Sequence, residues 1–377
     1  MSLPETILQF GSGRFLRAFA DVFIHQANEQ GQNVGRVVLV QSTGGDRAGT
    51  LAQQGGKFHV VVRGLENGQV VDRVEEVGSI SRALIAGSQW DEIRAVARSP
   101  QLKFVLSNTT EAGYALAPGD SAALAPPKSF PGKLLLLLKE RYDAGLPGLT
   151  IIPCELMEGN AELLRATVLG LAKQWIMTGA FRAWLADECV WLHTLVDRIV
   201  SGTPKDHPLL ATDPMLIAAE PFAFWALEDH PKAYPFVRHP AIVRCPDVKP
   251  YFLRKVRILN AAHTALLIKA VPRGFALVRE AVNDRELGPW LERLLFEEIV
   301  PVLEGRVDQP GEFARQTVER FKNPFLDHKF ADIALHHESK VQIRLVPTAA
   351  EFEAKFGKKP PLLTEVLSQP PAASPGG

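Results

Sequence analysis

Lys255, Asn260 and His263 fall within nine residues in Lys255-Val256-Arg257-Ile258-Leu259-Asn260-Ala261-Ala262-His263, and their types suit the reduction of a carbonyl group. That reaction needs a proton donor beside the oxygen and neutral hydrogen-bond donors for the alkoxide that develops. Lys255 can be the acid, or the base in the reverse direction, if partial burial depresses its pKa. Asn260 would donate its amide to the oxygen, and His263 would hydrogen-bond a substrate hydroxyl. The surrounding apolar residues predict a helix. On it, Asn260 lies roughly 140° and His263 roughly 80° round from Lys255, so the three share one broad face over roughly 12 Å of axis. The same spacing also fits a structural helix whose lysine is solvated and whose histidine satisfies a core contact.

A second chemical feature stands at the other end of the chain. The apolar run Thr6-Ile7-Leu8-Gln9-Phe10 ends in Gly11-Ser12-Gly13, after which Phe15, Ala18, Phe19, Val22 and Phe23 recur at helical spacing. Strand, glycine turn and helix together make a binding place for a dinucleotide pyrophosphate, which needs a turn without Cβ atoms and free N–H groups at a helix start. Leu16 holds the place of the usual third glycine, so an ordinary strand-to-helix turn remains open. The next strand candidate, Val37 to Val40, ends at Gln41-Ser42-Thr43, with Asp46 slightly beyond. Asp46 can reach the adenosine ribose and would favour NAD over NADP; a solvated loop acid is the alternative. His336-His337-Glu338 looks like a metal cluster at first glance. Neighbours on a helix point about 100° apart, however, and no third ligand stands nearby, so no metal is expected. Cys154, after a strand, reads as a buried packing thiol rather than a nucleophile.

These residues must be held by a sizeable scaffold. The chain has 377 residues, 46% of them hydrophobic, with 42 Lys+Arg balanced by 42 Asp+Glu. Zero net charge argues against a nucleic-acid partner and against a polybasic membrane patch. Three scattered cysteines without CxxC spacing argue against a disulfide framework and for a reducing compartment. With no secretory signal and no apolar run long enough to span a bilayer, the expectation is a cytoplasmic protein. Further strand candidates at Lys103 to Ser107 and Thr150 to Pro153 alternate with helical patterns, which predicts an α/β, Rossmann-type doubly wound parallel sheet. Asn67-Gly68 between Phe58–Arg63 and Val70–Val74 predicts an inserted hairpin. From Tyr251 onward the pattern is helical. The expected organisation is therefore a dinucleotide-binding domain over 1–245, a mainly helical catalytic domain over 246–368 and a disordered tail over 369–377.

At these residues the sequence resembles the polyol-specific long-chain dehydrogenase/reductase family, which includes the mannitol dehydrogenases and the hexuronate-pathway reductases. Phe10-Gly11-Ser12-Gly13-Arg14-Phe15-Leu16-Arg17-Ala18 is similar to that family's GxGxFxRA cofactor loop, and Lys255, Asn260 and His263 match its K-x4-N-x2-H motif. Thr110-Glu111-Ala112-Gly113-Tyr114 and Val196-Asp197-Arg198-Ile199 resemble two further blocks. The uronate branch, that of tagaturonate reductase, is suggested by Ser107-Asn108-Thr109-Thr110-Glu111, Ile152-Pro153-Cys154-Glu155-Leu156 and Arg320-Phe321-Lys322-Asn323-Pro324. Glu220-Pro221-Phe222-Ala223-Phe224-Trp225 looks more like the polyol branch.

The resemblance implies metal-independent hydride transfer between NAD(H) and a ketose-type carbonyl, with reduction of tagaturonate to altronate expected. A polyol or polyol-phosphate dehydrogenase is the alternative, and a non-catalytic dinucleotide-binding regulator the alternative of another class. It implies Lys255 as acid/base, Asn260 as oxyanion donor, His263 as orienting group and Glu111 as a proton relay. Phe10 to Leu16, Gln41, Asp46, Asn108 and Thr109 would surround the cofactor. Asp197 and Arg198 would line the site, and Asn160 would stand in for the oxyanion asparagine that Leu156 replaces. Arg320 with Lys322 is expected to grip a substrate carboxylate. Ser339-Lys340 and Arg344-Leu345-Val346-Pro347 resemble a family block without assigned chemistry. A monomer or weak homo-oligomer with a small-molecule partner is expected.

Overall fold

Apolar runs such as Val37-Val38-Leu39-Val40 are too short for helices and lack alternation, so they settle as strands buried on both faces. In the computed structural model, which describes residues 3–369, six of them form one sheet. They are β1 (Glu5–Phe10), β2 (Arg36–Gln41), β3 (Ile80–Ile85), β4 (Phe104–Ser107), β5 (Thr150–Pro153) and β6 (Val190–Trp191). Every neighbouring pair is parallel, in the order β3-β2-β1-β4-β5-β6. The order reverses between β1 and β4, which opens a crevice at the carboxyl ends of those strands. Helices such as Phe130–Asp143 and Asn160–Gln174 cover the sheet through Leu134, Leu138, Leu164 and Val168.

The Asn67-Gly68 turn joins Phe58–Glu66 to Gln69–Val77, with φ of +53° and +75° at its two central residues, as a tight hairpin of this hand requires. Two small sheets that the sequence did not announce complete this half. One pairs Phe58–Glu66 with Ile217–Ala219, and the other gathers Thr194–Asp197, Phe224–Glu228 and Ile242–Cys245.

By compactness the chain divides into two units. The first holds residues up to Val62, 73–219 and 223–248; the second holds 63–72, 220–222 and the residues from Lys249 on. The second unit is mostly helical around Leu266, Leu267, Leu291, Leu294, Leu295 and Phe321. After the 3₁₀ turn Val271–Arg273, Gly274 takes φ +87°, and the next helix runs from Val278 to Val282. Of the tail expected to be disordered, residues 370–377 lie outside the described residues. Among the described residues, no helix is long and apolar enough to cross a membrane.

One buried carboxyl group gives a pH-dependent stability. Asp21 is fully buried; Gln9 Nε2 donates to its Oδ2 at 3.1 Å, while Oδ1 finds no partner. Burial raises its pKa to about 7, against the opposing pull of Gln9 and Arg17. The folded state thus keeps a proton that the unfolded chain releases near about pH 4, so this group makes stability fall as pH rises from about 4 to 7. Asp21→Asn is expected to flatten that slope in urea-unfolding midpoints measured across the same range. A slope as steep as that of the unmodified chain would refute the assignment.

Candidate active site

The glycine turn is built as a cradle. Gly11 has φ +131°, a conformation side chains rarely adopt, and a Cβ there would meet the Asn108 carbonyl oxygen at 3.0 Å. Gly13 has ordinary dihedrals, and a Cβ there would meet nothing within 4 Å. Its bareness leaves open space at the start of the helix Arg14–Arg17, as a pyrophosphate needs. Leu16 is buried, its Cδ1 3.4 Å from where a Gly11 Cβ would sit, so the missing third glycine is replaced by packing. Phe10 is likewise wholly buried against Phe130 and shapes the turn from below. The predicted helical run breaks at Ala18–Phe19, and Arg198 Nη1 takes the Ala18 carbonyl at 2.7 Å. Arg198 and its neighbour Asp197 are both buried, and this bond makes Arg198 a brace for the cofactor loop.

At the end of β2, the Gln41 side chain turns into the loop that follows. Its Nε2 donates to the carbonyls of Thr43 and Gly45 and its Oε1 accepts from Ala48 N, so the side chain shapes the following loop. Asp46, by contrast, is exposed just before the helix Arg47–Gln53. Sequence reasoning missed its neighbour Arg47, whose Nη1 donates to Ser12 Oγ at 3.3 Å and so reaches the glycine turn. A basic residue opening the helix after β2 was the available signal.

Across the crevice, Asn108 donates to the Cys154 carbonyl at 2.6 Å, and Thr109 is held through both its N–H and hydroxyl by Glu155 Oε1. The other oxygen of Glu155 accepts from Ser107 Oγ and Tyr114 OH. This buried carboxylate, quoted in the sequence only as part of a motif, organises the loop after β4. Burial pushes the Cys154 thiol pKa well up, as suits a packing role.

Asn160 has no amide to spare for a substrate. Its Nδ2 lies within 3.1–3.2 Å of the carbonyls of Pro153, Glu155 and Thr194, and its Oδ1 accepts from Ala161 N. The expectation that it replaces an oxyanion asparagine is corrected: Asn160 ties the loop after β5 to the strand Thr194–Asp197. Glu111 opens a short 3₁₀ turn, Glu111–Tyr114, but its side chain lies outside the described residues.

In the second unit the predicted helix is continuous but not uniform. Lys249–Arg254 is α, Lys255–Asn260 is π, and Ala261–Ala270 is α again. A turn closed between i and i+5 has more residues than an α turn, so Asn260 comes closer to the Lys255 face than the α-helical angle predicts. Lys255 is 8% exposed. The Asn260 carboxamide has no hydrogen-bond partner among the described residues, while its backbone carbonyl accepts from Thr264 Oγ1.

His263 lies against Phe321, ring centroids 4.1 Å apart, and edge-on to His328 at 4.8 Å. Burial, with the nearby charges of His328, Arg320 and Arg344, holds its pKa well below the ordinary value. Its Nε2 is buried without a partner among the described residues, and a neutral ring protonated on Nδ1 would offer that atom as an acceptor. The arrangement within this unit is a buried lysine, an uncommitted carboxamide and a ring nitrogen without a partner on one helix.

The carboxylate grip expected of Arg320 and Lys322 is not what the geometry shows. Arg320 forks onto Glu220, Nε to Oε2 at 3.0 Å and Nη2 to Oε1 at 2.7 Å, and lies over the Phe222 ring. Both members of the pair are almost wholly buried. Lys322 ends the same helix at the surface, 3.5 Å from Glu292. The fork meant for a substrate already holds an internal carboxylate. Among the described residues, no group of three or more His, Cys, Asp or Glu is placed to hold a metal ion.

Comparison with known proteins agrees with this layout. The Rossmann-domain model of mannitol dehydrogenase matches residues 5–236, and the C-terminal-domain model of mannitol dehydrogenase matches residues 247–369. The chain therefore belongs to the mannitol dehydrogenase family and is an NAD-dependent oxidoreductase. Among its relatives, the altronate oxidoreductase of Yersinia enterocolitica is 38% identical over 382 residues, covering 97% of this chain and 79% of that protein. The altronate oxidoreductase of Bacillus subtilis is 37% identical, covering 95% and 77%. Among solved structures, Pseudomonas fluorescens mannitol 2-dehydrogenase with NAD and D-mannitol matches with a TM-score of 0.76 at 24% identity, covering 97% of this chain and 78% of that one. A substrate-free D-sorbitol dehydrogenase matches with a TM-score of 0.82 at 24% identity, covering 99% and 84%. These two establish the likeness of fold.

Proposed function

We propose that the protein reduces the keto group of a hexuronate, tagaturonate to altronate, with NADH, and runs the reaction in both directions. The observation that carries this reading is identity of 37–38% to altronate oxidoreductases over nearly the whole chain. The glycine turn and the open space at Gly13 fit a dinucleotide. When bound, the nicotinamide supplies or accepts the hydride. Lys255 gives the carbonyl oxygen its proton and takes it back in oxidation. Asn260, with its carboxamide uncommitted, donates a hydrogen bond to that oxygen as negative charge develops. His263 accepts from a neighbouring hydroxyl through Nε2 and so fixes the carbon chain. Arg198 supports the cofactor loop through the Ala18 carbonyl. The experiment that tests the reading is NAD⁺ reduction with altronate against mannitol: strong preference for altronate is expected, and equal or better use of mannitol would reject it.

NAD is favoured over NADP by Asp46, whose exposed carboxylate suits ribose hydroxyls and repels a 2′-phosphate. Asp46→Ser is expected to raise kcat/KM for NADPH relative to NADH by about tenfold or more, since one lost charged hydrogen bond and one relieved repulsion act together. Arg47 beside it is free to meet the phosphate in that variant only by leaving Ser12. An unchanged ratio would remove Asp46 from the cofactor site. The three cysteines are free and buried, which suits the reducing cytoplasm.

A further inference from the structure

The block Ser339-Lys340 to Arg344-Leu345-Val346-Pro347 has a place in the fold that its sequence did not explain. Helix His337–Arg344 brings its last residue onto the site helix. Arg344 Nη1 donates to Thr264 Oγ1 at 3.1 Å and lies 3.5 Å from the Asn260 carbonyl. Its Nε and Nη2 make no hydrogen bond among the described residues, so one edge of the fork is open. Lys340, one turn earlier on the same helix, gives its ammonium to the Ile333 carbonyl at 2.9 Å.

Neither cation meets a carboxylate among the described residues. Elsewhere in the same unit the comparable cations are neutralised: Arg257 and Arg306 by Glu351, Arg320 by Glu220, and Lys269 by Glu365. Two half-buried like charges side by side are unfavourable alone, and burial together with Arg344 lowers the Lys340 pKa. In the same neighbourhood, the buried Nε2 of His263 and Nδ1 of His328 have no partners. Buried polar atoms without partners are rare unless a ligand or water meets them.

We propose that Arg344, assisted by Lys340, grips the carboxylate of the sugar-acid substrate, the task that sequence motifs suggested for Arg320. The assignment rests on the hexuronate reading above. Its scale fits. Thr264, which Arg344 touches, is four residues beyond Asn260, about 6 Å along the axis. In a six-carbon keto acid with the two groups at opposite ends, keto and carboxylate carbons are four bonds apart, roughly 5 Å when extended. A keto oxygen at Lys255 and Asn260 therefore leaves the carboxylate one helical turn on, where the open edge of Arg344 can bind it with two parallel hydrogen bonds.

The test compares kcat/KM for tagaturonate and for a neutral ketose, fructose, in the whole enzyme with NADH. For Arg344→Gln the ratio of acid to neutral substrate is expected to fall about 10- to 100-fold, mainly through the KM for tagaturonate. Arg344→Lys should recover part of it. Equal losses on both substrates, or an unchanged ratio, would overturn the assignment. Should Arg344→Gln fail to fold, Lys340→Gln reads the same site: a raised tagaturonate KM supports the proposal, and an unchanged one overturns it. Wild-type enzyme that turns over no sugar acid would reject the hexuronate reading itself; wild-type activity with an unmoved ratio would reject only Arg344.

Discussion

Lys255→Ala is expected to bind NADH like the unmodified enzyme and to lose about 10²- to 10⁴-fold in kcat for tagaturonate. The loss should appear in kcat and kcat/KM alike, because the proton is needed only as the carbonyl becomes an alkoxide. Asn260 cannot compensate, since a carboxamide donates a hydrogen bond but no proton. His263 cannot either, because burial and the nearby charges hold its pKa well below the ordinary value and keep the ring neutral. The pH dependence of kcat in the unmodified enzyme should therefore vanish in the variant. Single-turnover hydride transfer followed by NADH fluorescence checks this. A Lys255→Ala enzyme that turns over normally would take the lysine out of the chemistry.

The second large effect is on stability. Arg320→Ala leaves Glu220 ionised and buried without its fork, which costs about 3–5 kcal/mol in comparable buried pairs. Urea unfolding should show that loss, while the KM for tagaturonate in the protein that remains folded should change little. Replacing both partners together, Arg320→Met with Glu220→Leu, should recover much of the stability, since the cost lies in the orphaned charge. A stable Arg320→Ala enzyme with a sharply raised KM would return Arg320 to the carboxylate role that its sequence context first suggested.

These outcomes mark where the sequence was legible. The strand into Gly11-Ser12-Gly13, the Asn67-Gly68 hairpin and the helix carrying Lys255 to His263 are local features, written in glycine, turn and apolar spacing over a few residues. The α/β class followed from their alternation. The strands at 194–197, 217–219, 224–228 and 242–245 were not legible, because three to five residues carry too little periodicity. The π turn escaped for another reason: nothing in Lys255-Val256-Arg257-Ile258-Leu259-Asn260 distinguishes a closure at i+5 from one at i+4.

The errors at Asn160 and Arg320 share one cause. Each residue is the right type for the role expected of it, but its partner is remote in sequence. Thr194 lies 34 residues from Asn160, and Glu220 lies 100 residues from Arg320. Arg344 shows the converse. Its neighbours in sequence suggested no chemistry, and only its placement against Thr264, without a carboxylate, gives it a role.

The most direct measurement of the central claim is NADH oxidation by the unmodified enzyme with tagaturonate, fructuronate, fructose and fructose 6-phosphate, compared by kcat/KM. Turnover concentrated on tagaturonate, with the neutral ketose and its phosphate far behind, is the predicted result. Preference for fructose or its phosphate would contradict it and place the same Lys255 chemistry in the service of a polyol.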